Sequence, residues 1–560
     1  MKLKLLPAIT VLALSTLSCI DQSWDLTKVK SDEVLLFTEG ITLPGGNIQT
    51  IRFDKEQLDK LLPDMKENLI QKGNQMYINY VTDTNMISTD EMREQIFESI
   101  SFGTSKPIVY ASSGTQGGKI PAGSYPMTKK EVQAVDPSVN IGEYIKRLDL
   151  VTLNNGYLTI DISQIGFISK SPEDRIEFKV EVPEEIVLNE IPDDNITTVG
   201  KIVSFQVSFA SILNGQHTYI KIPIKQINTP LSVKPFLVES TLVSGGMTYN
   251  AGAKITLLMT PEINDKNIDR IEGKFAYEFN EIEMPIENKI LEQLYDAFGE
   301  EAIIDFYAPL LILNTNSSFT AASIMNLQLN YETKSGSKQS EAIDINISAS
   351  PTNQLMKKDY IMGTRVESDP SSGRYTFDLT KVLKEGRRNL TVTATVKLDD
   401  TPEKQVLYNH MEAKINAVFE TPFIFGKDLK ADINEQKDKV FDQKTIDLLF
   451  TAENSEVYIE GEVTKEIPLN VKMNIDVLDE NNQPVGVQIA DVLLTDEATQ
   501  KIQFTVSKED APKMIRARNL LIKGNVFSDE NLAGQVITVD DFVNIQNLKI
   551  RKKGGVIIKP

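Results

Sequence analysis

Leu158-Thr-Ile-Asp-Ile-Ser163 alternates apolar and polar side chains with a period of two. The same alternation recurs in Val203-Ser-Phe-Gln-Val-Ser-Phe209 and in Ile343-Asp-Ile-Asn-Ile347. Successive side chains of an extended strand point to opposite faces, so each stretch predicts a strand with one buried and one wet face. Many such stretches, with few helical segments between them, favour antiparallel sheets over a parallel α/β fold.

Turn signals separate the predicted strands. Asn155-Gly156, Ser335-Gly336 and Glu480-Asn481-Asn482 each lie between apolar stretches. These residue types tolerate positive φ, so each signal predicts a hairpin. We therefore predict a mostly β protein, built from tandem antiparallel β-sandwich modules with a few short helices.

Three segments have helical patterns. Capping-box spacings predict helices that begin near Asp54 and Ser88 and end near residues 72 and 100. A third helix is predicted over 287–298, as an amphipathic helix that covers the end of a sandwich. Its apolar face consists of Ile290, Leu291, Leu294 and Phe298.

Cys19 is the only cysteine of the chain and closes a short leader. Lys2 and Lys4 precede an apolar run of thirteen residues, 5–17, and Ser18 is the small residue before the cysteine. This order predicts a bacterial lipoprotein signal with Cys19 as the lipidation site. A secretory signal with an incidental cysteine is the alternative, and a transmembrane helix is disfavoured because spanning a bilayer takes about 20 apolar residues.

Composition restricts what the rest of the chain can be. The formal net charge is −20, and it becomes −22 when Lys2 and Lys4 leave with the signal. Such a chain repels nucleic acid, so we predict no nucleic-acid partner. With no cysteine after position 19, the mature protein has no internal disulfide.

The length that remains after the signal is enough for three or four domains of ordinary size. The predicted division is 1–18 signal peptide, 19–35 lipidated tether, 36–145 N-terminal α+β region, 146–230 β-sandwich module, 231–400 β-sandwich module with the helix near 287–298, and 401–560 C-terminal β-sandwich module.

Several motifs resemble those of Bacteroidota outer-membrane or surface lipoproteins of unknown function. They are Trp24-Asp-Leu-Thr-Lys28, Glu39-Gly-Ile-Thr-Leu-Pro-Gly45, Ile271-Glu-Gly-Lys274, Asp305-Phe-Tyr-Ala-Pro-Leu-Leu-Ile-Leu-Asn314 and Lys552-Lys-Gly-Gly-Val-Ile-Ile558. The resemblance implies a palmitate-bearing lipoprotein of the outer membrane, made of repeated β modules. Asp21 and Asp25 are separated rather than clustered, which leaves the cell surface and the periplasmic face both open. Residues 305–348 also resemble sandwich domains of the late-embryogenesis (water-stress) type.

The candidate catalytic and metal-binding motifs in the sequence are all incomplete. His217 and His410 are the only histidines, and neither has further ligands at zinc-site spacing. Ser335-Gly-Ser-Lys338 lacks the companion motifs of serine–lysine enzymes and is read as a turn. Asp265, Asn267 and Asp269 copy the first EF-hand ligand positions, but Ala276 stands where the bidentate Glu is needed.

We therefore predict a lipid-anchored envelope protein that acts as a binding or structural and adhesion module, with no catalysis, metal or cofactor. Its predicted membrane contact is the lipid on Cys19, and a protein or glycan partner stays open. One alternative is a glycan-binding accessory of a surface uptake system, although the only tryptophan is Trp24 in the tether. The other is a carboxylate-based glycoside hydrolase, because spatial pairs of acids cannot be read from the sequence.

Overall fold

The computed structural model describes residues 41–46, 51–100, 102, 105–111, 115–134, 143–191, 193, 195–286, 289–439, 443–450, 456–494 and 499–553. These residues form six sheets and a few short helices. The predicted class, a mostly β chain of tandem antiparallel β-sandwich modules, is confirmed. Within the described ranges, no helix has the length and apolar character needed to cross a membrane.

Short strands make up an N-terminal segment, defined as residues 41–132. Its strands are β1 (Ile41–Gly46), β2 (Ile51–Arg52), β3 (Leu69–Lys72), β4 (Gln75–Val81), β5 (Asn85–Ser88), β6 (Ile108–Ala111), β7 (Gly118–Lys119), β8 (Ala122–Pro126) and β9 (Lys130–Val132). Helix α1 (Lys55–Leu61) is followed by a 3-10 turn at Pro63–Asn68. Helix α2 (Thr89–Met92) is followed by a π turn at Arg93–Phe97.

The first module consists of two sheets. Its strands are β10 (Ile145–Ile168), β11 (Arg175–Glu181), β12 (Ile186–Leu188), β13 (Ile196–Val199), β14 (Ile202–Ser208), β15 (His217–Asn228), β16 (Phe236–Gly245) and β17 (Thr248–Glu262). One sheet has the order β12-β15-β10-β17-β6 and the other β13-β14-β11-β16-β8. The rings of Phe167 and Phe209, 5.6 Å apart, join the two layers.

The second module has the same plan. After β18 (Ile268–Phe275), its elements are β19 (Ile282–Pro285), α3 (Lys289–Phe298), β20 (Leu310–Ser317), β21 (Ser323–Thr333), β22 (Lys338–Ile347), β23 (Met356–Gly363), β24 (Arg374–Thr376), α4 (Leu379–Glu385), β25 (Gly386–Leu398), β26 (Gln405–Tyr408) and β27 (Glu412–Pro422). The sheets are β19-β25-β21-β22 and β24-β23-β20-β27-β4-β3. They enclose an apolar cavity of about 20 Å³ between Met325 and Val396 on one side and Ile415 on the other.

The third module repeats this strand order. Its elements are β28 (Lys430–Lys437), α5 (Gln443–Phe450), β29 (Glu456–Lys465), β30 (Asn470–Leu478), β31 (Pro484–Leu494), β32 (Thr499–Val506), α6 (Ala511–Met514), β33 (Asn519–Phe527) and β34 (Phe542–Lys553). The order β28-β33-β30-β31 matches β19-β25-β21-β22, and β34-β29-β32 matches β27-β20-β23. In the first module the same positions are taken by β8-β16-β11-β14 and β17-β10-β15.

The N-terminal segment pairs with all three modules in reverse order. β1 and β2 pair with β34 of the third module, and β4 and β5 pair with β27 of the second. β6 and β7 then pair with β17, and β8 and β9 with β16, both in the first module. The segment therefore completes sheets in each module.

Strand pairing also crosses one predicted domain limit. β15 lies before residue 230 and β17 after it, yet both pair with β10 in one sheet. Pairing crosses the predicted limit near residue 400 as well. β26 lies after this limit and β18 before it, yet the two strands pair in a sheet of the first module. The division into domains stays a prediction, and the sheets group the strands differently from it.

One predicted hairpin is wrong. Asn155-Gly156 does not reverse the chain, because β10 runs without interruption from Ile145 to Ile168. A register shift between Thr152 and Gly156 marks a β-bulge there, at the point where the antiparallel partner of β10 changes from β18 to β17. The hairpins at Ser335-Gly336 and at residues 480–482 are confirmed.

The helix predictions hold in part. The helix near 287–298 is confirmed as α3, with Leu291 and Leu294 buried. The helix expected from Asp54 to about residue 72 ends at Leu61, because Pro63 begins a 3-10 turn that leads into β3. The basic C-terminal stretch forms the last strand, β34. Lys552 is buried in this strand, and burial lowers the pKa of its ammonium group.

Candidate functional site

The predicted lipidation residue, Cys19, lies outside the described residues, as do Trp24 and the rest of the tether. The prediction of a lipid anchor on Cys19 therefore stays a prediction. The candidate sites in the described part of the chain lie in the three modules.

The EF-hand-like loop lies at the bulge of β10. The Asn267 side chain donates to the carbonyl oxygen of Asn155 at 2.5 Å, and Asp269 accepts from the Asn154 side chain at 3.3 Å. Asp265 faces Arg93 at 3.9 Å. The three motif side chains thus each bind a different protein group. No cluster of three or more His, Cys, Asp or Glu side chains in the described ranges is arranged to hold a metal.

The Ser335-Gly-Ser-Lys338 stretch forms the tip of the β21–β22 hairpin. Gly336 has φ of 78°, which the turn requires. The Ser335 hydroxyl lies 3.0 Å from that of Thr333 and 3.1 Å from that of Ser337. These contacts support the reading of this motif as a turn.

An open sheet face of the first module carries exposed aromatic and polar side chains, and we name it the β10–β15–β17 face. Asp161 of β10 lies opposite Tyr219 of β15 on one side and Leu258 of β17 on the other. In the next row Ser163 lies between His217 and Thr256. Asp161 and Ser163 lie on the same face because successive side chains of a strand alternate, so every second residue of β10 points away from the core.

Two rings form the aromatic part of this face. Tyr219 is 60% exposed, although it lies within a strand. The His217 ring stacks beside it, with ring centres 6.3 Å apart and planes within 17°. His217 is anchored by Asp161, whose carboxylate oxygens lie 2.8 and 3.0 Å from Nδ1. The two rings therefore lie in nearly parallel planes on the exposed side of the sheet, and the contact with Asp161 orients the His217 ring.

Ion pairs flank the rings. The Lys221 ammonium group contacts Glu262 at 2.8 Å and lies 5.4 Å from the centre of the Tyr157 ring. The hydroxyl of Thr159 donates to Glu262 at 2.6 Å. Hydrogen bonds from Lys221 and Thr159 hold the pKa of Glu262 below its usual range, so this carboxylate is ionised at neutral pH.

A second candidate lies where the second and third modules meet. Here the chain forms an open cleft of about 550 Å³. It is lined by Ile303, Lys384, Asp428, Leu429, Lys430, Asn525, Phe527 and Ser528. A few residues along the chain from this lining, the Phe306 and Phe425 rings stack 5.3 Å apart, and these two residues also form a β-bridge. The cleft therefore belongs to a packed joint.

Buried Asp305 organises that joint. Its carboxylate contacts the Lys384 ammonium at 3.2 Å and accepts from the backbone N–H of Asp428 at 2.9 Å. Its carbonyl oxygen accepts from Gly426 at 2.6 Å, and a side chain at Gly426 would collide with the Asp305 carboxylate. The Asp305 motif quoted above thus fixes the connection between modules.

The carboxylates at the joint are poorly suited to acid catalysis. Lys384 contacts Asp428 at 2.8 Å as well as Asp305. The hydrogen bond from Lys384 lowers the pKa of Asp428, whereas a general acid needs a raised one. Burial acts to lower the pKa of Lys384, but its two carboxylate partners outweigh burial and raise it.

Sequence reasoning missed the residues of the β10–β15–β17 face. Asp161 lies in the strand whose alternation predicts the fold. The sequence pattern identifies it only as a polar residue on the solvent-facing side of that strand. His217 is exposed on β15, and Asp161 orients its ring. The partner is 56 positions away in the sequence, so only the strand register could reveal it.

Among known protein families, one of unknown function is similar to part of this chain. A family model described as a protein of unknown function (DUF4621) matches residues 404–558, which hold β26, β27 and the third module. No curated protein matches the chain.

Solved structures are similar only at low scores. A protein of Parabacteroides distasonis described as secreted has 19% identity and a TM-score of 0.38, over 51% of this chain and 89% of its own. A chain of the Sulfolobus turreted icosahedral virus has 8% identity and a TM-score of 0.12, over 82% and 91%. A chain of infectious bursal disease virus, Gx strain, has 8% and 0.13, over 88% and 82%. At these scores the likenesses carry no argument about fold or function.

Proposed function

We propose that this protein is a lipid-anchored protein of the bacterial outer membrane, which acts as a binding or adhesion module and not as an enzyme. The basic and apolar leader that ends at Cys19 is the observation that carries the proposed anchor, and the strand order supports its place in the molecule. β1, the described strand nearest Cys19, pairs with the last strand, β34, in the third module. A lipid on Cys19 would therefore hold the molecule by its third module.

The β10–β15–β17 face lies at the other end of this series. The second module connects the first to the third, because its strand β26 pairs with β18 in a sheet of the first module and its residue Ile303 pairs with Lys430 of the third module. A face on the first module is thus separated from the anchored module by an intervening module. This placement suits a surface that meets a partner away from the membrane.

The chemistry of the candidate sites supports binding more than catalysis. The carboxylates of the open face, Asp161 and Glu262, are each engaged by His217 or Lys221. At the joint, Asp305 and Asp428 share Lys384. Fixed contacts of this kind orient side chains, whereas a glycoside hydrolase needs one protonated carboxyl group opposite a carboxylate.

Replacing the lipidated residue tests the anchor. We expect Cys19→Ala to lose the acyl groups and to leave the membrane fraction, because each buried methylene contributes about 0.8 kcal/mol to membrane binding. Ser18→Ala is the matched control, since it keeps a small residue before the cysteine and should remain acylated. The measurements are mass spectrometry of the mature N-terminus and membrane fractionation. An unmodified Cys19 thiol in the native protein would overturn the proposal.

A further inference from the structure

We propose that the β10–β15–β17 face binds a neutral glycan, with the Tyr219 and His217 rings as the stacking platform and Asp161 as a hydrogen-bond acceptor. This inference rests on the proposed function, because it names the ligand class of that binding face. Three properties of the face favour this ligand, which are its rings, its hydroxyl and carboxylate groups, and its charge balance.

The rings suit the apolar face of a sugar. Tyr219 is 60% exposed, and the His217 ring lies beside it in a nearly parallel plane. An aromatic ring offers a large apolar area with few rotatable bonds, and the C–H groups of a pyranose pack against such a surface. The bond between His217 and Asp161 holds the second ring in place before a ligand arrives.

Polar groups beside the rings match sugar hydroxyls. Asp161 lies opposite Tyr219, and its oxygens can accept further hydrogen bonds. When Nδ1 of His217 donates to Asp161, Nε2 is left as an acceptor for a ligand hydroxyl. The partly exposed hydroxyls of Ser163 and Thr256 lie opposite each other in the neighbouring row.

Charge balance selects a neutral ligand. Lys221 is paired with Glu262, so this cation is not available to attract a polyanion. The Asp161 carboxylate accepts a hydrogen bond from the His217 ring, which adds no positive charge when its Nε2 is an acceptor. The whole chain has a formal charge of −20, which adds to the case against acidic polysaccharides.

The full-length lipoprotein in detergent micelles can be tested on an array of neutral plant, host and bacterial glycans. We expect wild type to bind at least one neutral glycan, and Tyr219→Ala to weaken that binding about tenfold or more. Tyr219→Phe keeps the ring and should stay within about threefold of wild type. The matched control is Tyr125→Ala, which removes an exposed tyrosine from the other sheet of the same module.

Each other outcome contradicts the inference. Binding to acidic glycans or to peptides alone, or no binding by wild type, would overturn the neutral-glycan assignment. Equal affinity of Tyr219→Ala and wild type would remove the binding from this face. Acylation of Cys19, measured on the same preparations by mass spectrometry, reports separately on the proposed membrane anchor. Thermal melting of each variant shows whether an affinity loss comes from unfolding.

Discussion

Asp174 is a fully buried acid, in the turn between β10 and β11. Its carboxylate accepts hydrogen bonds from the backbone N–H groups of Gly245, Lys170 and Ser171, and from the hydroxyl of Ser169. Burial alone would raise the pKa of Asp174, but these donors outweigh burial and hold it below its ordinary value. The carboxylate thus ties the turn to the end of β16.

Asp174→Ala should lower the free energy of unfolding by about 2–4 kcal/mol, because it leaves several buried donors without an acceptor. Asp344→Ala is the control, since Asp344 is exposed on β22 and should cost no more than about 0.5 kcal/mol. Urea denaturation at neutral pH measures both changes. Equal stabilities of the two variants would refute the role assigned to Asp174.

The same residue gives a pH dependence. A carboxylate whose folded-state pKa is depressed contributes stability above its unfolded-state pKa and loses it as the pH falls through the folded-state value. The stability difference between wild type and Asp174→Ala should therefore stay constant near neutrality. It should shrink only as the pH falls below about 4.

At the scale of elements, helix α4 secures the joint between the second and third modules. Lys384 in its last turn contacts Asp305, which is 3% exposed, and Asp428 beyond β27. Removing one partner of a buried pair leaves an uncompensated charge, so Lys384→Met should cost about 3 kcal/mol. Lys381→Met on the same helix breaks a solvent-exposed pair with Glu341 and should cost much less stability than Lys384→Met.

Differential scanning calorimetry of the two lysine variants measures this difference. Hydrogen exchange should locate the loss for Lys384→Met at residues 423–430, where the connection between the modules lies. If Lys381→Met proves as damaging as Lys384→Met, the joint does not depend on Asp305.

Elements were predictable where a local signal decides them. The alternation in Leu158–Ser163 and the apolar face of α3 depend on neighbouring residues alone, and both predictions are confirmed. Asn155-Gly156 failed because the signal of a hairpin and that of a bulge are alike, and only the partners of β10 distinguish them. The pairing of His217 with Asp161 was hidden for the same reason, since it depends on register.

At the scale of the whole molecule, one segment serves three modules. Residues 36–145 are predicted as an N-terminal α+β region, and the described strands there pair with β34, β27, β17 and β16. Such pairings join strands hundreds of residues apart, which no local pattern encodes. The division of the chain by composition therefore could not anticipate how the sheets are assembled.

Because strands of the N-terminal segment pair with different modules, truncating a buried side chain in one of them should destabilise the module with which that strand pairs. Ile78 of β4 and Ile108 of β6 are both buried, but β4 pairs with the second module and β6 with the first. Ile78→Ala should cost about 2–4 kcal/mol and reduce amide protection in β20 and β27. Ile108→Ala should reduce protection in β10 and β17 instead.

Exposed neighbours provide the controls for this comparison. Met86 is 63% exposed on β5 and Val109 is 46% exposed on β6, so Met86→Ala and Val109→Ala should change stability by no more than about 0.5 kcal/mol. Hydrogen exchange with peptide-level mass spectrometry resolves the two modules. Protection lost only within residues 51–111 in both core variants would mean that the N-terminal segment folds on its own. Loss in separate modules would mean that each strand folds with the sheet it completes, as the reversed pairing order requires.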